Sequence, residues 1–88
     1  MDFKIGEKIS YLSYGKWKTG EVIGILNVGN NPMNILKNVN FKYRASSNQY
    51  LDNELKSKSL LIATEANKKG TRLIYIPKIS DIKDLMKG

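Results

Sequence analysis

The side chains best equipped for chemistry in this chain are aromatic and cationic rather than nucleophilic. Its 88 residues include no His and no Cys, which removes the usual general base near neutral pH, the thiol nucleophile and nearly all zinc chemistry. Carboxylates are sparse and dispersed. Asp52 with Glu54 and Asp81 with Asp84 are the pairs closest in sequence. The first pair reads as a solvated loop and the second as the start of a helix, so neither is given a catalytic or metal-binding role. There is no Gly-x-x-x-x-Gly-Lys-Ser/Thr phosphate loop. Asn67-Lys68-Lys69-Gly70-Thr71 is basic, but no helix signal follows it, and it reads as a hairpin tip able to touch a phosphate. The expectation is a binding protein with no catalytic residue, no cofactor and no metal.

The aromatic residues Tyr11, Tyr14, Trp17, Phe41, Tyr43, Tyr50 and Tyr75 are many for so small a core. Phe41 is assigned to that core. Trp17 lies between Lys16 and Lys18, beside the turn signal at Tyr14-Gly15. A ring in that setting can stack on a base or a peptide side chain while the flanking ammonium groups meet phosphate. The alternative is a ring that packs as a lid over the core. The candidate site therefore has Tyr14, Lys16, Trp17 and Lys18 on one side. Lys42, Arg44, Lys68, Lys69 and Arg72 supply phosphate contacts, which give affinity and little sequence information.

The charge balance points the same way. The formal net charge is +7 and the pI about 9.7, which favours anionic partners, nucleic acid (RNA or DNA) foremost and an acidic protein second. Lys far outnumbers Arg, and Lys, Asn and Ile are all abundant. An AT-rich bacterial or phage genome produces that bias, and scattered Lys keeps small domains soluble. Residues 1–44 carry seven basic and three acidic groups and residues 45–88 carry eight and five, so any basic patch has to be assembled by folding. No apolar run approaches the roughly 20 residues needed to span a bilayer. The N-terminal Met1–Glu7 has no apolar stretch of the signal-peptide kind, and with no Cys for disulfides the expected compartment is the cytoplasm.

The elements that must position these residues are mostly strands. Glu7–Tyr14 alternates with Ile9 and Tyr11 on one face. Trp17–Leu26 carries Val22, Ile23, Ile25 and Leu26, with Gly20 and Gly24 marking a bulge or bend. Asn27–Asn34 is a loop. Ile35–Arg44 alternates and is predicted as a half-buried strand. Ala45–Asn48 is a turn, Gln49–Ser59 is ambiguous, and Leu60–Thr64 and Thr71–Ile76 are strands. Ser80–Lys87 is predicted as a short docked helix, with Ser80 as N-cap, Asp81 and Asp84 in the first turn, and Ile82, Leu85 and Met86 on one stripe. The expected core includes Ile9, Val22, Ile25, Val39, Phe41, Leu61, Ile74 and Leu85. About five short strands at such spacing in 88 residues predict a single mostly β domain over 1–88, a small five-stranded barrel with a C-terminal α-helix at about 80–87.

The stretch Ile5–Ile25 resembles the start of SH3-like barrels of the Tudor and KOW kind. It matches at Gly6, at Ile9 and Tyr11 on an alternating strand, at Gly15 and Trp17 around a turn, and at Gly20, Val22 and Ile25 on a bent second strand. The resemblance covers about a quarter of the chain and implies an SH3-like fold. For a Tudor-type domain it implies a cage of Tyr11, Trp17 and Phe41 or Tyr43 around a methylated cation, since ring faces attract cations. For a KOW-type module it implies RNA or protein partners, which the basic turn Tyr14-Gly15-Lys16 suits better. A protein-interaction module using the same aromatic surface is the alternative function.

Overall fold

In a computed structural model, which describes residues 3–13, 15–45, 51–79 and 82–83, the chain is almost entirely β. Strands β1 (Lys8–Ser13) and β2 (Lys16–Leu26) are followed by a single helical turn, α1 (Met33–Leu36). Then come β3 (Lys42–Ala45), β4 (Ser59–Ala63), β5 (Thr71–Tyr75) and β6 (Ile82–Lys83). They form one mixed sheet in the order β3-β5-β4-β2-β1-β6, antiparallel except for the β3–β5 pair. The expected barrel is not closed: β3 and β6 are the two outer strands of an open sheet.

The sheet is organised by its longest and its most buried strand. β2 pairs with β1 over Lys16–Glu21 and with β4 over Glu21–Leu26, so it passes from one half of the sheet to the other. The changeover sits at Glu21, next to Gly20, where an added Cβ would collide with Ile62 Cγ2 and lie 3.1 Å from the Ala63 carbonyl oxygen. β4 is buried at every position. Its apolar run feeds two cores by alternation, as a strand covered on both faces must. Leu60 and Ile62 join Phe3, Ile9, Tyr11 and Val22 on one face, which we call the inner face. Leu61 and Ala63 join Leu26, Leu36 and Ile74 on the outer face, where Ile23, Ile35, Phe41, Tyr43, Leu51 and Leu55 also pack.

A bulge between Val22 and Gly24 shifts the β2–β4 register and accounts for one misplaced core residue. Before it, Val22 points into the inner core. After it, Gly24 faces Leu61 and Ile35, Leu26 enters the outer core, and Ile25 opposes Leu60 on the inner-face side but is 37% exposed. Of the other expected core residues, Ile9, Val22, Leu61 and Ile74 are buried. Val39 and Phe41 are half-buried, and Leu85 lies outside the described residues.

Two predicted elements differ. Ile35–Arg44 is not one strand: α1 occupies Met33–Leu36 and β3 begins only at Lys42. Asn31-Pro32 starts the helical turn. Pro32 has φ −55°, Asn31 Oδ1 accepts the Met33 N–H at 3.0 Å, and Leu36 N–H donates to the Pro32 carbonyl. Burial of Leu36 and the seating of Ile35 over Gly24 outweigh the alternating pattern. The predicted C-terminal helix is also overturned where it can be seen. Ile82 and Lys83 form β6, opposite Tyr11 and Ser10 of β1; Ser80, Asp81 and 84–88 lie outside the described residues. Helices this short are marginal, whereas the outer edge of β1 offers unpaired backbone groups that a strand satisfies.

Candidate nucleic-acid interface

The β1–β2 hairpin presents the first group of candidate residues. Ser13 opposes Lys16, Leu12 opposes Trp17 and Tyr11 opposes Lys18. Strand alternation then places Lys16 and Lys18 on the inner face with Gly20 and Val22, and Trp17 on the outer face with Thr19 and Glu21. The pairing of the Ser10 and Thr19 hydroxyls, 3.3 Å apart, marks the outer face. Trp17 is 48% exposed, so it is not a core lid. Its two neighbouring ammonium groups leave the strand on the opposite side from the ring. Tyr14 lies outside the described residues.

The second group is built by the β4–β5 hairpin and β3. Asn67 folds the hairpin tip. Its Oδ1 accepts the Lys69 and Thr71 N–H groups at 2.9 and 3.0 Å, its own N–H donates to the Thr71 carbonyl, and its carbonyl accepts the Gly70 N–H. Gly70 closes the turn at φ +79°, a conformation favourable only to Gly among ordinary residues. This pattern of a tight turn ending on a left-handed Gly is a standard hairpin connection, and it leaves Lys68 and Lys69 exposed at the tip. β3 runs parallel to β5, with Lys42 beside Thr71 and Arg44 beside Leu73. Arg44, Asn67, Lys68, Lys69 and Thr71 together line an open depression of 470 Å³. No carboxylate lines it, and none of its three cations takes part in an ion pair among the described residues.

Register connects the two groups. Val22 opposes Ile62, Ile62 opposes Tyr75, and Leu73, two residues before Tyr75, opposes Arg44. Lys42 and Arg44 therefore share the inner-face side of the sheet with Lys16 and Lys18. β4 ends and β5 starts at the end of the sheet where the β1–β2 hairpin turns, so Lys68 and Lys69 project from that same end.

Arg72 does not join them. It opposes Tyr43 on the outer face and spends its guanidinium within the fold. Nε donates to the Thr64 carbonyl at 2.6 Å, and Nη2 donates to Glu21 Oε1 at 2.9 Å and to the Ala63 carbonyl at 3.3 Å. The guanidinium carbon stands 4.7 Å from the Phe41 ring centroid. The side chain is 18% exposed. Arg72 ties the end of β4 to Glu21 of β2, and its Nε and Nη2 donors are taken up within the fold.

The aromatic cage implied by a Tudor-type likeness does not assemble. Tyr11 is buried in the inner core, its ring 5.6 Å from that of Tyr75. Trp17, Phe41 and Tyr43 belong to the outer face, where Arg72 already covers Phe41. The Tyr11 hydroxyl is buried with no hydrogen-bond partner among the described residues, and desolvation, with a smaller contribution from Tyr75, pushes its ionisation well above the ordinary tyrosine range.

One feature escaped the sequence reading. At the bend of β2, Lys8, Thr19, Gly20, Glu21, Thr64, Glu65 and Arg72 are among the residues lining a groove of 720 Å³ on the outer face. Gly20 was the available signal, since a glycine inside a strand pattern marks close approach of another segment. Among the described residues no group of three His, Asp or Glu could hold a metal ion, and no helix is long and apolar enough to cross a membrane. No family model, curated protein or solved structure matches this chain.

Proposed function

We propose that the chain is a small, non-enzymatic binding module that engages nucleic acid through its phosphates, using Lys42, Arg44, Lys68 and Lys69 with Lys16 and Lys18. The observation that carries this reading is the depression lined by Arg44, Lys68 and Lys69, cationic and without a carboxylate. Its Asn67 and Gly70 turn fixes where the two lysines project. The net charge of +7 supports it, because neutralised phosphates release counterions and the gain is largest for a protein that is basic where it touches. The long bent β2 shared between two halves of a sheet suits an incompletely closed member of the SH3-like barrels, and the cytoplasm is the compartment that suits such a partner. The deciding experiment is a titration of mixed-sequence oligonucleotides against salt. The expected result is weak binding whose logarithm falls linearly with log salt. In Lys68→Glu with Lys69→Glu, that binding is expected to be lost while the fold is kept. Absence of binding to DNA and RNA of either strandedness at low salt refutes the reading.

A second reading, a protein-interaction module, draws on a different observation. The exposed Trp17 shares the outer face with the groove at the bend of β2, whose lining mixes Lys8 and Arg72 with Glu21 and Glu65. A protein partner seated there is expected to bind with little salt dependence and to lose affinity on Trp17→Ala.

A further inference from the structure

We infer that the edge of β2 turned away from β1, between Lys16 and Gly20, takes an extended acidic segment of a partner protein as an added strand. This rests on the protein-interaction reading of the outer-face groove and narrows it to one kind of partner. It is independent of the depression at Arg44, Lys68 and Lys69. The strand pairing supplies the opening. β2 pairs with β4 only from Glu21 to Leu26. From Lys16 to Gly20 its one partner strand among the described residues is β1. Past Ala63 the chain of β4 turns to β5: the Thr64 N–H donates to the Leu73 carbonyl, and the Thr64 carbonyl accepts Arg72 Nε. A wedge therefore opens beside β2, and the groove of 720 Å³ occupies it, with Thr19 and Glu21 on one side and Thr64 and Glu65 on the other.

Backbone direction makes this wedge a place for a strand. The Val22 N–H donates to the Glu7 carbonyl and the Val22 carbonyl accepts the Gly6 N–H, so both groups of Val22 point toward β1. Along an antiparallel ladder these groups point to alternate sides from one residue to the next. Thr19, three residues earlier, therefore turns its N–H and C=O away from β1 and into the groove. The 3.3 Å approach of the Thr19 and Ser10 hydroxyls agrees with this, because side chains come closest in pairs that exchange no ladder bonds. An extended segment laid there gains main-chain hydrogen bonds, and its alternate side chains meet the residues of β2.

Charge selects the occupant. Residues of an added strand stand opposite those of β2 and share their faces. Two alternate residues would oppose Lys16 and Lys18, and the one between them would oppose Trp17. Lys16 is exposed and Lys18 half-buried, and neither takes part in an ion pair among the described residues. Trp17, 48% exposed, offers apolar contact. Opposite charges across such pairs are favourable and like charges unfavourable, so the complementary pattern is acidic, apolar, acidic. A second copy of the same edge does not fit it. Antiparallel pairing about Trp17 would set Lys16 of one chain against Lys18 of the other, and edge lysines of that kind oppose self-association.

The test uses the full chain and a short synthetic peptide alternating Glu and Leu. A matching Lys–Leu peptide and two N-methylated forms of the first, methylated at every second amide in one phase or the other, serve as comparisons. Binding is read by calorimetry and by amide shifts, and each variant is checked for folding by circular dichroism. The Glu–Leu peptide should bind with shifts gathered at Trp17–Gly20, and the Lys–Leu peptide should not bind. One methylated form should lose binding and the other keep it, since only alternate amides of an added strand face β2. Lys16→Glu with Lys18→Glu should weaken the Glu–Leu peptide about tenfold and admit the Lys–Leu peptide. Lys37→Glu with Lys56→Glu, the same change of charge at exposed positions elsewhere, should do neither. Equal behaviour of the two methylated forms, or the same response to both charge reversals, overturns the added strand. Dimerisation of the free chain with shifts at Thr19 also overturns it, making a second copy the occupant. Peptides selected from a random display library separate this inference from the reading beneath it. Selected peptides that need Trp17 but ignore the Glu–Leu pattern overturn the inference and leave the protein-interaction reading standing. Absence of binding by designed and selected peptides alike refutes both.

Discussion

Replacing Arg72 by Ala distinguishes a cation that builds the fold from one that meets a ligand. The guanidinium donates to two backbone carbonyls and to Glu21, and it covers Phe41. The ion pair contributes the least. The Glu21 side chain is 39% exposed, and a pair so open to water is worth about 0–1 kcal/mol. The Phe41 contact adds about 0.5–1 kcal/mol. The bonds to the Thr64 and Ala63 carbonyls weigh more, since a hydrogen bond to a charged group is worth about 1.5–3 kcal/mol. Water entering the groove can solvate the carbonyls after truncation and recover part of that. The contributions overlap, and a net loss of about 2–4 kcal/mol is expected. Urea denaturation should show it as a lower midpoint at unchanged m-value, and Glu21→Gln should lose about 1 kcal/mol or less. At temperatures where Arg72→Ala is folded, its nucleic-acid salt slope should match the wild type. A variant as stable as wild type, whose salt slope falls by about one, would refute this account and return Arg72 to the phosphate contacts.

Gly20→Ala should destabilise by about 1–3 kcal/mol through overpacking, because its Cβ meets Ile62 and the Ala63 carbonyl in a fully buried site; unchanged thermal stability would show that β2 and β4 can separate there. Tyr11→Phe removes a buried hydroxyl that has no partner among the described residues and should be neutral or stabilising, by up to about 1–3 kcal/mol. The raised ionisation of Tyr11 means the folded chain holds its proton more tightly than the unfolded one. Stability is therefore untouched by this ionisation below the ordinary tyrosine value of about 10 and falls as pH rises beyond it, where unfolding releases the proton. Alkaline unfolding followed by circular dichroism should accordingly be less steep in Tyr11→Phe. Asn67→Ala removes the acceptor of two backbone N–H groups at the hairpin tip without changing charge, and should weaken oligonucleotide binding; wild-type affinity would show that net charge alone, not the shaped tip, is responsible.

Local patterns announced much of this architecture. The alternation of Lys8–Ser13, the turn at Gly15, and the apolar run before Asn67-Lys68-Lys69-Gly70 each describe contacts close in sequence, and all appear at the expected positions. What went unread depends on partners distant in the chain. Ile25 has the parity of Ile23, which packs on the outer core, yet a bulge against β4 sets it opposite Leu60 instead, where it stays 37% exposed. Ile35 and Leu36 fit a strand pattern as well as a helical one; the choice was made by Pro32 and by the seat over Gly24. Ile82 satisfies a helical stripe, but β1 has an edge to fill. In the candidate site, Lys68, Lys69 and Arg44 do come together. Arg72 was legible only as a cation, because its use depends on Glu21, 51 residues away. Trp17 and its flanking lysines are neighbours in sequence, and alternation itself parts them, which period-2 geometry already implied.

The same register that builds the inner core aims half of the proposed interface. Val22 and Gly20 face inward only if Lys18 and Lys16, two and four residues back from Gly20, leave β2 on that side. A slip of one residue in the β1–β2 pairing would expose Val22 and bring Trp17 to the cationic side. Burial of Val22, Ile62 and Tyr11 therefore holds Lys16 and Lys18 in place more firmly than any contact of their own. The β4–β5 tip is governed differently: Asn67 and Gly70 shape it by bonds within the turn, so it can change without disturbing either core. Loss of core packing should therefore disorganise the β2 arm before it affects Lys68 and Lys69. A variant that loosens the inner core, such as Ile62→Ala, ought then to lose the salt-slope contribution of Lys16 and Lys18 while retaining that of the tip.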